Sequence, residues 1–190
     1  IYSNVNSVFL EGVLDSDTIR IRSFIDDGYW YETIYVIQVQ LKEDLNFAFV
    51  NERLHLAFPN PLILVYTLDN KTRISLATKR MSKVAKDKSV IDGLFFTNWF
   101  ILDDEHIRFI KLLNVQKTYS LNLKDFYENM TNIIYSERLI QLIGKMPIKI
   151  PRTMDLRKAI IDIDNHISVL DELKRNSKQA SMMSEKMDYH

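Results

Sequence analysis

The chain has 190 residues, with only 4 Gly, 4 Pro and no Cys, and its 25 Lys and Arg balance 25 Asp and Glu. Gly and Pro together fall far below the roughly 12% of an average protein, which excludes glycine-rich phosphate loops, collagen-like repeats and Pro-rich linkers. The lack of Cys excludes disulfides, thiol nucleophiles and Cys-ligated zinc or iron–sulfur sites, and the neutral balance argues against a globally basic nucleic-acid binder.

Along the chain, residues 17–25 alternate Ile19, Ile21 and Ser23 with Arg20, Arg22 and Phe24, the period of a half-buried strand. The Asp26-Asp27-Gly28 turn leads into a second strand over 31–41, giving a hairpin. Both faces of that second strand are largely apolar, so it is expected inside the sheet. Residues 44–57 predict a helix capped by Asp44, with Leu45, Phe49, Leu54 and Phe58 as its apolar side, ended by Pro59-Asn60-Pro61. The apolar run 62–68 reads as a buried strand, and 72–78 returns as its hairpin partner after Asp69-Asn70-Lys71. Residues 79–88 are polar and predict a loop or short helix, followed by further strand over 93–102.

The helices then follow. Asp103 or Asp104 caps a helix to Leu113 with Ile107, Ile110 and Leu113 on one side. Residues 122–143 form the next, with a stripe of Phe126, Met130, Ile133, Ile140 and Ile143 and Gly144 as its stop. Thr153 opens the last, which carries Leu156, Ile160, Ile163, Ile167, Leu170 and Leu173 on one face. Strands first and helices last is the order of an α+β fold: an N-terminal, mostly antiparallel sheet of hairpins with an intervening helix, then helices, then a long C-terminal helix. The division expected is an α+β domain over 1–150 and a helical appendage over 151–190, with coiled-coil-like spacing. A helix over 153–189 would run about 55 Å at 1.5 Å per residue, longer than the diameter of about 40 Å expected of the body, so assembly through Ile160, Ile163, Ile167, Leu170 and Leu173 is the leading functional expectation. Its occupant would be a protein partner or a second copy. No apolar run reaches the ~20 residues of a membrane span, which predicts no membrane partner and a cytoplasmic protein.

Three patterns bear on chemistry. Restriction-endonuclease-like folds hold a divalent metal with an Asp on one strand and a Gln or carboxylate two residues before a Lys on the next. Asp27, Gln40 and Lys42 fit that spacing, and Gln40 and Lys42 share a strand face. This is the alternative, enzymatic reading, and the only one that needs a cofactor, Mg²⁺; turn chemistry explains the same Asp residues more simply. Second, Lys79, Arg80, Lys83, Lys86 and Lys88 lie within ten positions and could meet phosphates or an acidic partner, with Arg20, Arg22 and Arg73 as extensions if their strands adjoin. Third, Tyr29 and Trp30 could stack on bases, although core filling is the commoner use of such rings. His55, His106, His166 and His190 are mutually remote and predict no metal site.

Residues 34–42 with the following helix and Phe58-Pro59-Asn60-Pro61-Leu62-Ile63-Leu64-Val65-Tyr66, the returning strand from Ile74 to Arg80, and the closing helix from Leu156 into Lys174-Arg175, Lys178 and Glu185-Lys186 together resemble a bacterial domain-of-unknown-function family, number 4391. Its members usually open with a short basic, Pro-containing segment that this chain does not show. The family supplies no catalytic residues to carry over. What the resemblance implies is context: genes beside helicase and methyltransferase genes in restriction or phage-defence clusters, and so an accessory, non-catalytic subunit working through protein contacts, with DNA contacts as a further expectation.

Overall fold

The computed structural model describes residues 4–26, 28–82, 84, 89–118, 120–146 and 156–187, without the side chains of 117, 157 and 180–187. Two compact units divide the chain, Ile1–Lys149 and Ile150–His190.

The first unit is built on a five-stranded sheet. Its strands are β1 (Val5–Leu14), β4 (Ile34–Leu41), β5 (Leu62–Leu68), β6 (Lys71–Met81) and β7 (Ser89–Phe96), in the order β1-β4-β5-β6-β7. All neighbours are antiparallel except β4 and β5, which run parallel. A parallel pair needs a crossover, and helix α2 (Phe47–Ala57) supplies it. The fold is thus the α+β arrangement read from the sequence, with mostly antiparallel strands, then helices α3 (Asp104–Leu112) and α4 (Leu123–Ile143). The β5–β6 hairpin forms as expected, turning at Asp69, whose φ is 51°.

Residues 17–25 do not form the expected strand. The Asp15 carboxylate accepts the backbone N–H groups of Asp17 and Thr18, and the Thr18 hydroxyl accepts the N–H of Asp15. That reciprocal cap nucleates the one-turn helix α1 (Ser16–Ile19), overriding the alternation, and Arg20 ends it at φ 57°. Only β2 (Phe24–Asp26) remains extended, paired with β3 (Tyr29–Tyr31) in a small hairpin outside the main sheet. Strand β1 forms one edge of the main sheet.

The sheet is covered on both faces. On one, Ile37, Val39 and Leu41 of β4 and Leu62, Leu64 and Tyr66 of β5 form a core with Phe47 of α2. On the other, Phe126, Tyr127, Met130 and Ile134 of α4 are buried, and the Tyr127 hydroxyl donates to the Leu62 carbonyl at 2.6 Å while accepting the Ala77 N–H at 2.9 Å. Each such apolar side chain contributes roughly 1.5–3 kcal/mol on burial. The cap at Asp103 and the stop at Gly144 are as read: Asp103 accepts the His106 N–H and Gly144 sits at φ 74°, while Asn122, expected inside the next helix, caps it by accepting the Asp125 N–H.

The buried helix faces differ from the apolar stripes. In α2 the buried residues are Phe47, Val50, Asn51 and His55, with Leu45, Phe49 and Phe58 exposed, and the helix starts three residues after Asp44. Asp44 does not cap it but lies 3.7 Å from Arg73. In α3 the buried pair is His106 and Phe109, with Ile107 and Ile110 outside, and in α4 Ile143 is exposed while Glu137 is buried.

The second unit contains α5 (Leu156–Met187), 32 residues and about 48 Å long. Among the described residues no helix is long and apolar enough to cross a membrane.

Candidate functional site

The basic cluster expected over 79–88 is divided by the sheet. Strand β6 runs on through Lys79 and Arg80, so neither lies in a loop. Lys79 is buried, 3% exposed, on the α2 side of the sheet beyond Arg73, Ser75 and Ala77. Its Nζ donates to the carbonyls of His55, Phe58 and Asn60, the last two at 2.8 and 2.7 Å. An ammonium has three donors, and these three carbonyls at the end of α2 take all of them. Burial without a carboxylate partner lowers the Lys79 pKa to about 7. Arg80 instead pairs across the strands with Asp92 at 2.8 Å. Lys83, Lys86 and Lys88 lie outside the described residues.

The root of that basic segment is defined. The Met81 N–H donates to the Gly28 carbonyl, which sets the end of β6 beside the β2–β3 hairpin. Ile25 and Trp30 pair across this hairpin and both face solvent, at 64% and 48% exposed. Tyr29 is half-buried, with the Lys124 ammonium 4.9 Å from its ring centroid. Arg20 and Arg22, just before the hairpin, are exposed. Arg73 does not join them: its guanidinium packs 4.3 Å from the Phe47 ring and 4.6 Å from Trp99. The hairpin face, Arg20, Arg22 and the root of the 82–88 segment are therefore what remains of the expected phosphate-binding region.

Of the set proposed for a nuclease, Asp27 lies outside the described residues, while Gln40 and Lys42 stand at the C-terminal end of β4. Gln40 Oε1 accepts from Asn6 and Ser7 of the edge strand, and Lys42 is exposed. Among the described residues no three His, Cys, Asp or Glu are grouped to hold a metal.

Two buried polar clusters went unread in the sequence. In one, His55 Nε2 lies 3.1 Å from Ser75 Oγ, whose hydroxyl donates to the Phe95 carbonyl at 3.0 Å, so the imidazole is the donor toward Ser75. Beside it the Tyr66 hydroxyl donates to Asn51. Burial, and next the charge of Lys79, lower the His55 pKa to about 3, so the ring is neutral at physiological pH.

In the other, the His106 ring stacks on Phe100 at 4.6 Å, with Nδ1 2.7 Å from Asp103 and Nε2 3.8 Å from Glu137. Glu137 is 1% exposed, and its oxygens accept the Asn98 N–H and the Gln141 side-chain amide. Burial raises the Glu137 pKa, while hydrogen bonds from the His106 backbone and ring lower that of Asp103. This cluster ties the β7–α3 connection to α4 through the Asn98 and Gln141 hydrogen bonds to Glu137, while His106 Nε2 makes no hydrogen bond. His166 is engaged within α5, with Nδ1 on the Asp162 carbonyl, and His190 lies outside the described residues.

The residues expected for assembly all fall on α5. Ile160 is buried, Ile167 is half-buried, and Ile163, Leu170 and Leu173 are exposed.

No curated protein and no solved structure matches this chain. One family model does, and it spans the whole chain, residues 1–190. The chain belongs to the domain of unknown function family DUF4391.

Proposed function

We propose that this protein works by binding rather than catalysis, as an accessory subunit of a bacterial defence or restriction assembly in the cytoplasm. The observation that carries this reading is α5: a 32-residue helix whose Ile163, Leu170 and Leu173 present apolar surface to solvent. The setting comes from the family resemblance, which implies neighbouring helicase and methyltransferase genes. DNA contact through Arg20, Arg22, Trp30 and the basic segment 83–88 is the secondary part of the proposal.

The test is co-expression of the full chain with the products of its neighbouring genes. A stable complex is expected with the unaltered chain, and its loss with Leu170→Glu and Leu173→Glu together. A complex that forms equally well with both changes removes α5 from the reading, and the absence of any complex removes the accessory role.

A further inference from the structure

A cleft of about 660 Å³ lies in the first unit, lined by residues 18–21, on α1 and just after it, and by Val115, Gln116, Thr118 and Ser120 ahead of α4. Its size falls within the range of about 300–1,000 Å³ usual for small-molecule sites. The Leu123 N–H donates to the Arg22 carbonyl at 2.8 Å, so the two lining segments are joined just beyond the cleft. Ile19, Ile21 and Val115 give it apolar surface, and no carboxylate or aromatic ring stands among the described lining residues.

The polar groups of the cleft are of two kinds. The Thr18 hydroxyl is held in the Asp15 cap, and the Thr118 hydroxyl donates to the Asn114 carbonyl at 3.2 Å. The Ser120 hydroxyl, by contrast, is buried without a hydrogen-bond partner among the described residues. The side chains of Arg20 and Gln116 have none among them either. Asp15 and Asp17 precede the lining residues in the chain without joining them, so Arg20 is the charge that the described lining carries.

We propose that this cleft binds a phosphate monoester, with the Arg20 guanidinium on the phosphate and the Ser120 hydroxyl and Gln116 amide as further donors. A guanidinium presents its N–H groups in a planar fork that matches phosphate oxygens. A tetrahedral phosphate accepts from that fork and from donors on the second segment at once, which a planar carboxylate does less well. With no lining ring to stack a base on, the phosphate is what the cleft reads. Its source is either a free small molecule or the phosphorylated end of a nucleic acid, and the chemistry at Arg20 is the same for both. The site uses no residue of α5, so it stands or falls apart from the assembly role.

The test is an NMR titration of the isotope-labelled full chain with ribose 5-phosphate, with ribose, and with a short oligonucleotide carrying or lacking a 5′-phosphate. The phosphorylated probes should shift the backbone amides of Thr18, Arg20, Gln116 and Ser120, and the unphosphorylated ones should leave them in place. Arg20 sits at φ 57°, where Gly is unstrained, so Arg20→Gly should keep or raise the melting temperature while weakening binding by about tenfold or more. Ser120→Ala removes only the hydroxyl and should weaken binding by about three- to tenfold. Tighter binding of the sugar phosphate assigns the site to a free small molecule, and tighter binding of the 5′-phosphorylated oligonucleotide assigns it to a nucleic-acid end. No shift at these amides with either phosphorylated probe up to ~10 mM, or equal binding by the unaltered chain and Arg20→Gly, overturns the proposal.

Discussion

The ammonium of Lys79 donates to the carbonyl of Asn60 at 2.7 Å across the end of α2, with the Phe58 carbonyl at 2.8 Å as a second acceptor. A charge that reads as part of a solvated basic run is in fact the fastener between the crossover helix and strand β6. Its position follows from the pleat: Ser75, Ala77 and Lys79 alternate onto the α2 face, and the first two are fully buried. The carbonyls at a helix C-terminus are the natural acceptors for a cation. They hold the lysine against the full effect of burial, which still brings its pKa to about 7.

Stability should therefore rise with pH above neutrality. A lysine at about 7 when folded and near 10.4 when unfolded leaves the unfolded chain with more protons between those values, so unfolding becomes harder as pH increases through that window. Lys79→Met should remove this rise and, by orphaning three carbonyls, cost about 2–4 kcal/mol at pH 7. Urea denaturation at pH 7, 8, 9 and 10 on both proteins measures it. Parallel pH curves for the two would show that Lys79 stays charged in the folded state.

His55 works at the acid end. Its folded pKa of about 3 lies below the 6.5 of an unfolded histidine, so the unfolded chain takes up the proton first as pH falls. Stability contributed by the neutral ring is complete above about 6.5 and declines toward 3. His55→Gln keeps a donor for Ser75 and has no proton to gain. The difference in unfolding free energy between the unaltered chain and the variant should shrink steadily from pH 6.5 to 4. A constant difference would mean the imidazole is protonated in place.

Glu137 carries the opposite sign. Burial raises its folded pKa, so the folded state holds the proton longer than the unfolded one, and its contribution to stability declines as pH rises through the carboxyl range. Glu137→Gln, which keeps the shape, should therefore improve relative to the unaltered chain from pH 4 upward. Glu137→Ala should be worse than Glu137→Gln by about 1–3 kcal/mol, because the Asn98 N–H and the Gln141 amide lose their acceptor. Equal stability of the two variants would show that the cluster relaxes around the gap.

These three residues also explain which parts of the fold could be read from the sequence. Elements announced by local chemistry came through: the cap at Asp103, the stop at Gly144, the β5–β6 hairpin, and the order of strands before helices. The helix faces did not, because α2, α3 and α4 each bury polar residues, Asn51 and His55, His106, and Glu137. Apolar periodicity then points to a neighbouring stripe, such as Leu45 and Phe49 or Ile107 and Ile110, that faces solvent. The polar break in the α4 stripe, seven residues after Met130, is the mark that could have flagged Glu137. Its meeting with His106, 31 positions away, depends on how α3 packs on α4 and has no local trace. Asp-Ser-Asp-Thr is the local pattern that marks the Asp15 cap, and its reciprocal hydrogen bonds outweigh the two-residue alternation over 17–25.

The DNA part of the proposal makes a quantitative demand. If Lys83, Lys86 and Lys88 neutralise phosphates, each bound cation releases counterions, and the affinity for duplex DNA falls on a log–log plot against salt with a slope of about −0.9 per contact. The triple change of these lysines to Gln should flatten that slope by about 2–3. Trp30→Ala acts differently, since a stacked ring contributes about 1–3 kcal/mol per base with little salt dependence and only on single strands. Fluorescence anisotropy with a labelled duplex and a labelled single strand, each between 50 and 300 mM salt, separates the two contributions. A slope that the lysine changes leave untouched would remove phosphate contact from the 82–88 segment, and the exposed hairpin pair Ile25 and Trp30 would then be better read as a protein-facing surface.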